Sequence, residues 1–211
     1  MYIQLNDLHE IPDVQAYISI LNSDYCLRTA NPYGVSKMKK LISVLAVTLA
    51  MTSVQASAQD VAEMNDLEYA HIAYTADNID IRYAHLALAL SSNPDIHEFA
   101  NTMIRDHTAV NEAALGLLDK LGATAQDNAF SQTLNANAEE IIDGFVKLRG
   151  AEFDAAYAAN ELAYHQAVND LVENTMIPNI DNAEVKALFE QGLEIFKAHE
   201  GHAEMMVTAL Q

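Results

Sequence analysis

The sequence predicts an all-α protein, a bundle of four main helices with an additional helix in the connection between the second and third. Three observations carry this. Apolar residues recur at alternating spacings of four and three over several long stretches, which gathers them on one helical face. The composition, 51% hydrophobic with no Trp and only seven Gly in 211 residues, suits a packed helical core. The links between the periodic stretches are short in two places and long in one. Short links make antiparallel neighbours, and a long one allows a crossover.

Residues 1–37 stand apart from this pattern. They hold Pro12, Pro32, Gly34 and the only cysteine, Cys26, with no sustained period. After them come Met38-Lys39-Lys40, an apolar run from Leu41 to Met51, and a small-residue end at Ala56-Ser57-Ala58. That is the charged, apolar and cleavable order of a secretory signal peptide, and the run is too short to cross a bilayer. We therefore expect a mis-assigned, unstructured upstream extension over 1–37, a signal peptide over 38–58 cleaved after Ala58, and a helical domain over 59–211. The expected location is the periplasm. Residues 59–211 carry 7 basic and 26 acidic residues, so the whole net charge of −19 belongs to them. Such a charge argues against a nucleic-acid partner or an anionic membrane surface, and it attracts cations. Without cysteine the domain has neither disulfides nor thiol chemistry.

The first main helix is expected over Asp66–Leu90, with Ile72, Ala76, Ile79, Tyr83, Leu86 and Leu90 as its seam. Asn93, Pro94 and Asp95 then supply an N-cap, a first helical residue and a dipole-matched acid for the second. That helix runs to Leu121, and Gly122 is a suitable C-terminal residue. Its seam is Ile96, Phe99, Met103, His107, Val110, Ala114, Leu117 and Leu121. His107 stands where every other member is apolar, with Asp106 beside it. The crossover helix is expected over Ser131–Leu148, with Leu134, Ile141 and Phe145 packed inward.

The third main helix, from Ala151 to about Met176, holds the chemistry. One stripe is Phe153, Tyr157, Asn160, Tyr164, Ala167 and Leu171. The adjacent stripe is Asp154, Ala158, Glu161, His165, Val168 and Val172, so an acid and an imidazole one turn apart share a core-facing side. Such groups are costly to bury without partners. Pro178 is expected to end this helix, and Asp181 with Glu184 to cap the fourth. In the fourth, His199 again takes an apolar position in the seam.

The runs FANTMIRDHTAVNEAALGLLDKLG, RGAEFDAAYAANELAYHQAV and KALFEQGLEIFKAHEGHAEMM together resemble an exported bacterial family, the domain of unknown function family 4142. It is grouped with the ferritin-like bundles. The resemblance spans roughly Val61 to Leu210 and implies a ferritin-like up-down four-helix bundle with a long B–C connection. Ferritin-like di-iron centres use a Glu-x-x-His pair on each of two helices. Here only Glu68-x-x-His71 has that spacing, while Glu161 and His165 are four apart.

Three seam histidines on three helices remain, with acids nearby. Neutral imidazole suits Fe, Zn or Cu, and a carboxylate completes such a site. The expectation is that a metal ion or small ligand binds between the helices, with His107, His199, Glu161, His165, Asp106 and Asp154 as the metal-binding set and no catalytic residue assigned. Counted along the helices from Pro178, His165 and His199 differ in level by about 5–8 Å, which favours Glu161 over His165 beside His199. Two other readings of the same residues stay open. One is a buried hydrogen-bond network in a structural or stress-related envelope protein. The other is a metal-dependent oxidoreductase. His71, His85, His97 and His202 read as solvated or edge residues, and Tyr157 and Tyr164 as core packing.

Overall fold

The computed structural model describes residues 60–211. The upstream extension, the signal peptide and its cleavage point lie outside the described residues. After a short 3-10 turn at Val61–Glu63 come five helices. They are α1 (Asp66–Leu90), α2 (Pro94–Leu121), α3 (Ala129–Phe145), α4 (Ala151–Leu171) and α5 (Ala183–Ala209). No strand occurs among the described residues.

Local chemistry sets most of the ends. Asn65 and Glu68 form a reciprocal capping box at the start of α1. Asn93 caps α2 through the Asp95 amide with Pro94 inside the first turn, and Gly122 closes it at φ 63°, a left-handed conformation that favours glycine. The crossover helix begins two residues earlier than its seam suggests, because Asn128 caps it in a box with Ser131. Two ends differ from expectation. Asn182, not Asp181, caps α5, since its side chain reaches the Glu184 and Val185 amides. The Asp181 and Asn182 amides donate instead to the Asp66 carboxylate, tying the start of α5 to the start of α1. Pro178 also fails to stop the third main helix. A π-helical stretch at Val172–Met176 widens the coil, and the chain stays helical through Ile177–Asn179.

Four helices form the core, with α1 packed on α2, α2 on α5, α5 on α4 and α4 on α1, while α3 lies against α1. The hydrogen bonds fix directions. Gln126 in the α2–α3 loop donates its amide to the Leu67 carbonyl at the start of α1, and Arg82 pairs with Glu139 further along. The crossover helix therefore runs parallel to α1. It returns the chain to the end where Ser91 donates to Asp154 at the start of α4. Every neighbouring pair among the four core helices is thus antiparallel. Leu134, Ala138 and Phe145 of α3 are buried against this core, with Ile141 partly buried.

The core is aromatic at the α3–α4 end. Tyr83, Phe145, Phe153 and Tyr157 meet at ring distances of 5.7–6.3 Å. Rings of this size dominate the apolar burial. Midway along the bundle the apolar layers are interrupted by Asp77, Asp80, His107, Glu161, His165 and His199, all buried.

Candidate metal centre

Each core helix contributes to this polar layer: Asp77 and Asp80 from α1, His107 from α2, Glu161 and His165 from α4, and His199 from α5. They meet because they stand level. Asp80 follows the start of α1 by about fourteen residues, and His107 precedes the end of α2 by the same number. His165 precedes Asn179 by about fourteen residues, and His199 follows Ala183 by about sixteen, a difference near 3 Å. The offset expected from sequence arose from counting the non-helical residues after Asn179 as part of the path. His165 therefore lies as close to His199 as the other imidazole does. The ring centres are 5.8 Å apart for His107 and His165, 5.3 Å for His107 and His199, and 5.6 Å for His165 and His199.

Each imidazole is held by one nitrogen. His107 Nδ1 donates to Asp77 Oδ1 at 2.8 Å, and Phe196 stacks on its ring at 4.7 Å. His165 Nδ1 donates to the Glu161 carbonyl at 2.9 Å. His199 Nε2 donates to Asp106 Oδ2 at 3.0 Å, and Arg105 grips the same carboxylate through Nε and Nη2. The second nitrogens of His165 and His199 make no hydrogen bond, while that of His107 faces Asp80 and the Asp80 and Glu161 carboxyls lie against each other. Asp80 Oδ2 forms an ion pair with His107 Nε2 at 2.5 Å and lies 3.6 Å from His165 Nε2. One donor atom from each of His107, His165 and His199 lies within 4.8 Å of the others, and so it is for Asp80, Glu161 and His165. His165 Nε2 and His199 Nδ1 are left without a hydrogen-bond partner, which buried polar nitrogens seldom are.

Electrostatics divides the groups. Burial opposes charge on His107, yet the Asp80 charge and the Asp77 hydrogen bond outweigh it and push the imidazole up to about 10. Burial drives His165 down. His199 falls to about 4, by burial and by its two imidazole neighbours against the pull of Asp106. Burial, then the neighbouring Asp80, hold the Glu161 carboxyl well above its ordinary range. Asp80 sits low because the imidazoles of His107 and His165 overcome its desolvation. Two carboxyls crowded together are pushed apart in this way.

Of the six residues singled out in the sequence, the structure brings four together: His107, His165, His199 and Glu161. Asp106 reaches the layer only through His199. Asp154 is elsewhere, two turns before Glu161 and bonded to Ser91 at 2.6 Å. Asp77 and Asp80 were missed. The signal for Asp80 was its position four residues after Ala76 and four before Ala84, on a face whose alanines are both buried. The remaining histidines among the described residues are peripheral. His71 meets Ser131, His97 meets the Ser91 carbonyl, and His85 and His202 are exposed.

The family model described as "Domain of unknown function (DUF4142)" matches residues 50–206. No curated protein and no solved structure matches the chain. The match takes in every helix but the last three residues of α5, and every residue of the buried layer. The chain belongs to the domain of unknown function family 4142.

Proposed function

We propose that this is an exported, periplasmic bundle of the ferritin-like type that binds one transition-metal ion between its four core helices. His107, His165 and His199 supply nitrogen ligands, and Asp80 and Glu161 supply oxygen. One observation carries the reading: three imidazoles from three helices, each oriented through one nitrogen, bring ligand atoms within 4.8 Å of one another, and Asp80 and Glu161 bring theirs equally close to His165. That is how metal-binding histidines are oriented, by an acceptor behind the ring that fixes which nitrogen faces the ion. Ligands on one ion at 2.0–2.2 Å stand about 3.0–3.4 Å apart. The Asp80–His107 contact would open by less than about 1 Å to reach that spacing. Mixed nitrogen and oxygen donors suit Fe, Zn or Cu. Export rests on the ordered charged, apolar and small-residue segments from Met38 to Ala58.

Elemental analysis of untagged protein purified from the envelope fraction tests this. About one equivalent of a transition metal is expected, lost in a His165→Gln, His199→Gln double variant that stays folded. Wild-type protein that neither carries metal nor takes up Zn(II), Fe(II) or Cu(II) after dialysis would leave the structural network as the correct reading.

A further inference from the structure

Beyond the buried layer, toward the end where the α2–α3 loop meets the start of α1, a cavity of about 100 Å³ lies between all five helices. Ile72, Val110, Leu134, Val168 and Phe189 are its contributions from α1 to α5 in order. Native interiors hold few voids larger than a water molecule. Here Val110 and Ala114 of α2, and Ala167 and Val168 of α4, lie on inward stripes and line the cavity, yet they stay only half-buried. Gly192 adds to the space. It sits buried inside α5, where glycine is a poorer helix former than alanine. Packing does not demand it, because a Cβ at this position would meet Phe196 at 3.5 Å and Val110 at 3.9 Å, ordinary contacts with two other wall residues. The missing side chain is cavity volume. The inner end of the cavity is the support of His107. Asp77, which accepts from His107 Nδ1 at 2.8 Å, and Phe196, stacked on the imidazole at 4.7 Å, are both wall residues. Asp77 is the only carboxylate among the described residues that line it.

An engineered cavity of about 150 Å³ walled by Leu, Ile and Phe stays dry and takes up benzene or xenon. The present one has roughly two-thirds of that volume and a wall of the same chemistry. We infer that it is a binding site for a compact, uncharged, apolar molecule no larger than benzene, and that its occupant is felt at His107 through Phe196 and Asp77. The inference stands apart from the metal reading, since neither the wall nor its contact with His107 requires an ion.

Titration of the purified protein with xenon and with benzene, followed by NMR of methyl groups and imidazoles, tests it. The methyl signals of Val110, Val168 and Leu188 should shift saturably, and the His107 imidazole signals should move with the same midpoint. The methyls of Leu115, exposed on α2, should stay in place. Gly192→Leu and Ala114→Leu each put a side chain into the cavity from a different helix, so a misfit in one leaves the other to decide. Each folded variant should lose the saturable shifts and melt no lower than wild type, as cavity-filling changes do. No saturable shift with either probe, or shifts that survive in a folded filling variant, would overturn the site. Saturable methyl shifts with no movement at His107 would overturn its link to the buried layer.

Discussion

Two histidines in one buried layer are driven in opposite directions, and the reason lies in what stands behind each ring. His107 faces two buried carboxylates, Asp77 on Nδ1 and Asp80 on Nε2, so the charged form is favoured despite burial. His199 has one acceptor, Asp106, which is about a quarter exposed and already neutralised by Arg105. It therefore stays neutral. The supporting carboxylates should differ in worth accordingly. Asp77→Asn keeps the shape of the side chain and removes the charge that orients His107. Metal affinity should fall about 10–100-fold, measured by competition with a chromophoric chelator. Asp106→Asn should cost distinctly less. Equal effects from the two, or none from Asp77→Asn, would mean that neither carboxylate positions a ligand.

At the scale of helices, caps and seams were legible because they depend on neighbours in sequence. Asn93 and Gly122 each do what local chemistry asks of them. The three seam histidines were legible too, as polar residues where the period demanded apolar ones. Asp77 and Asp80 were not, because in a chain with 30 acidic residues a carboxylate beside a seam looks like any solvated acid. The π-helical stretch was likewise hidden. Its wide turn depends on packing beneath Val172 and Met176, both buried, and Pro178 read locally as a stop. The Asp66 clamp on the Asp181 and Asn182 amides joins segments far apart in sequence and left no periodic trace. It gives a direct test of how α5 is anchored. Asp66→Ala removes the acceptor for both amides and should lower unfolding free energy by about 1–2 kcal/mol in urea. Thr208→Ala, which loses only a bond to its own helix at Glu204, should stay within about 0.5 kcal/mol of wild type. Equal stability of the two variants would show that the α1–α5 junction is held by packing alone.

For the whole molecule, a charged layer inside an apolar bundle makes stability depend on what neutralises it. In metal-free protein His107 holds a proton up to about pH 10, against an ordinary value of 6.5. Its contribution is therefore complete below pH 6.5 and is lost as pH rises toward 10. Glu161 is raised well above its ordinary value, by burial first, and pushes the same way: burying it as a carboxylic acid is favourable only while it keeps its proton. His165 and His199 are lowered and oppose this. Their contributions are complete above pH 6.5 and are lost on acidification, for His199 toward pH 4. Asp80, lowered by the imidazoles beside it, adds to the loss at the acid end. The alkaline side consequently belongs to His107 and Glu161, and it is the side that a cation can repair. An ion bound by His107, Asp80 and Glu161 supplies positive charge that does not titrate away. In chelator, the urea midpoint should fall steadily between pH 6.5 and 9.5. With one equivalent of Zn(II), the midpoint should rise at every pH in that range and the decline should flatten. Below pH 5 the two curves should converge, as protons displace the ion from the imidazoles. A midpoint that is level or rising from pH 6.5 to 9.5 in chelator would mean that the buried carboxylates are already neutralised by something other than the His107 proton.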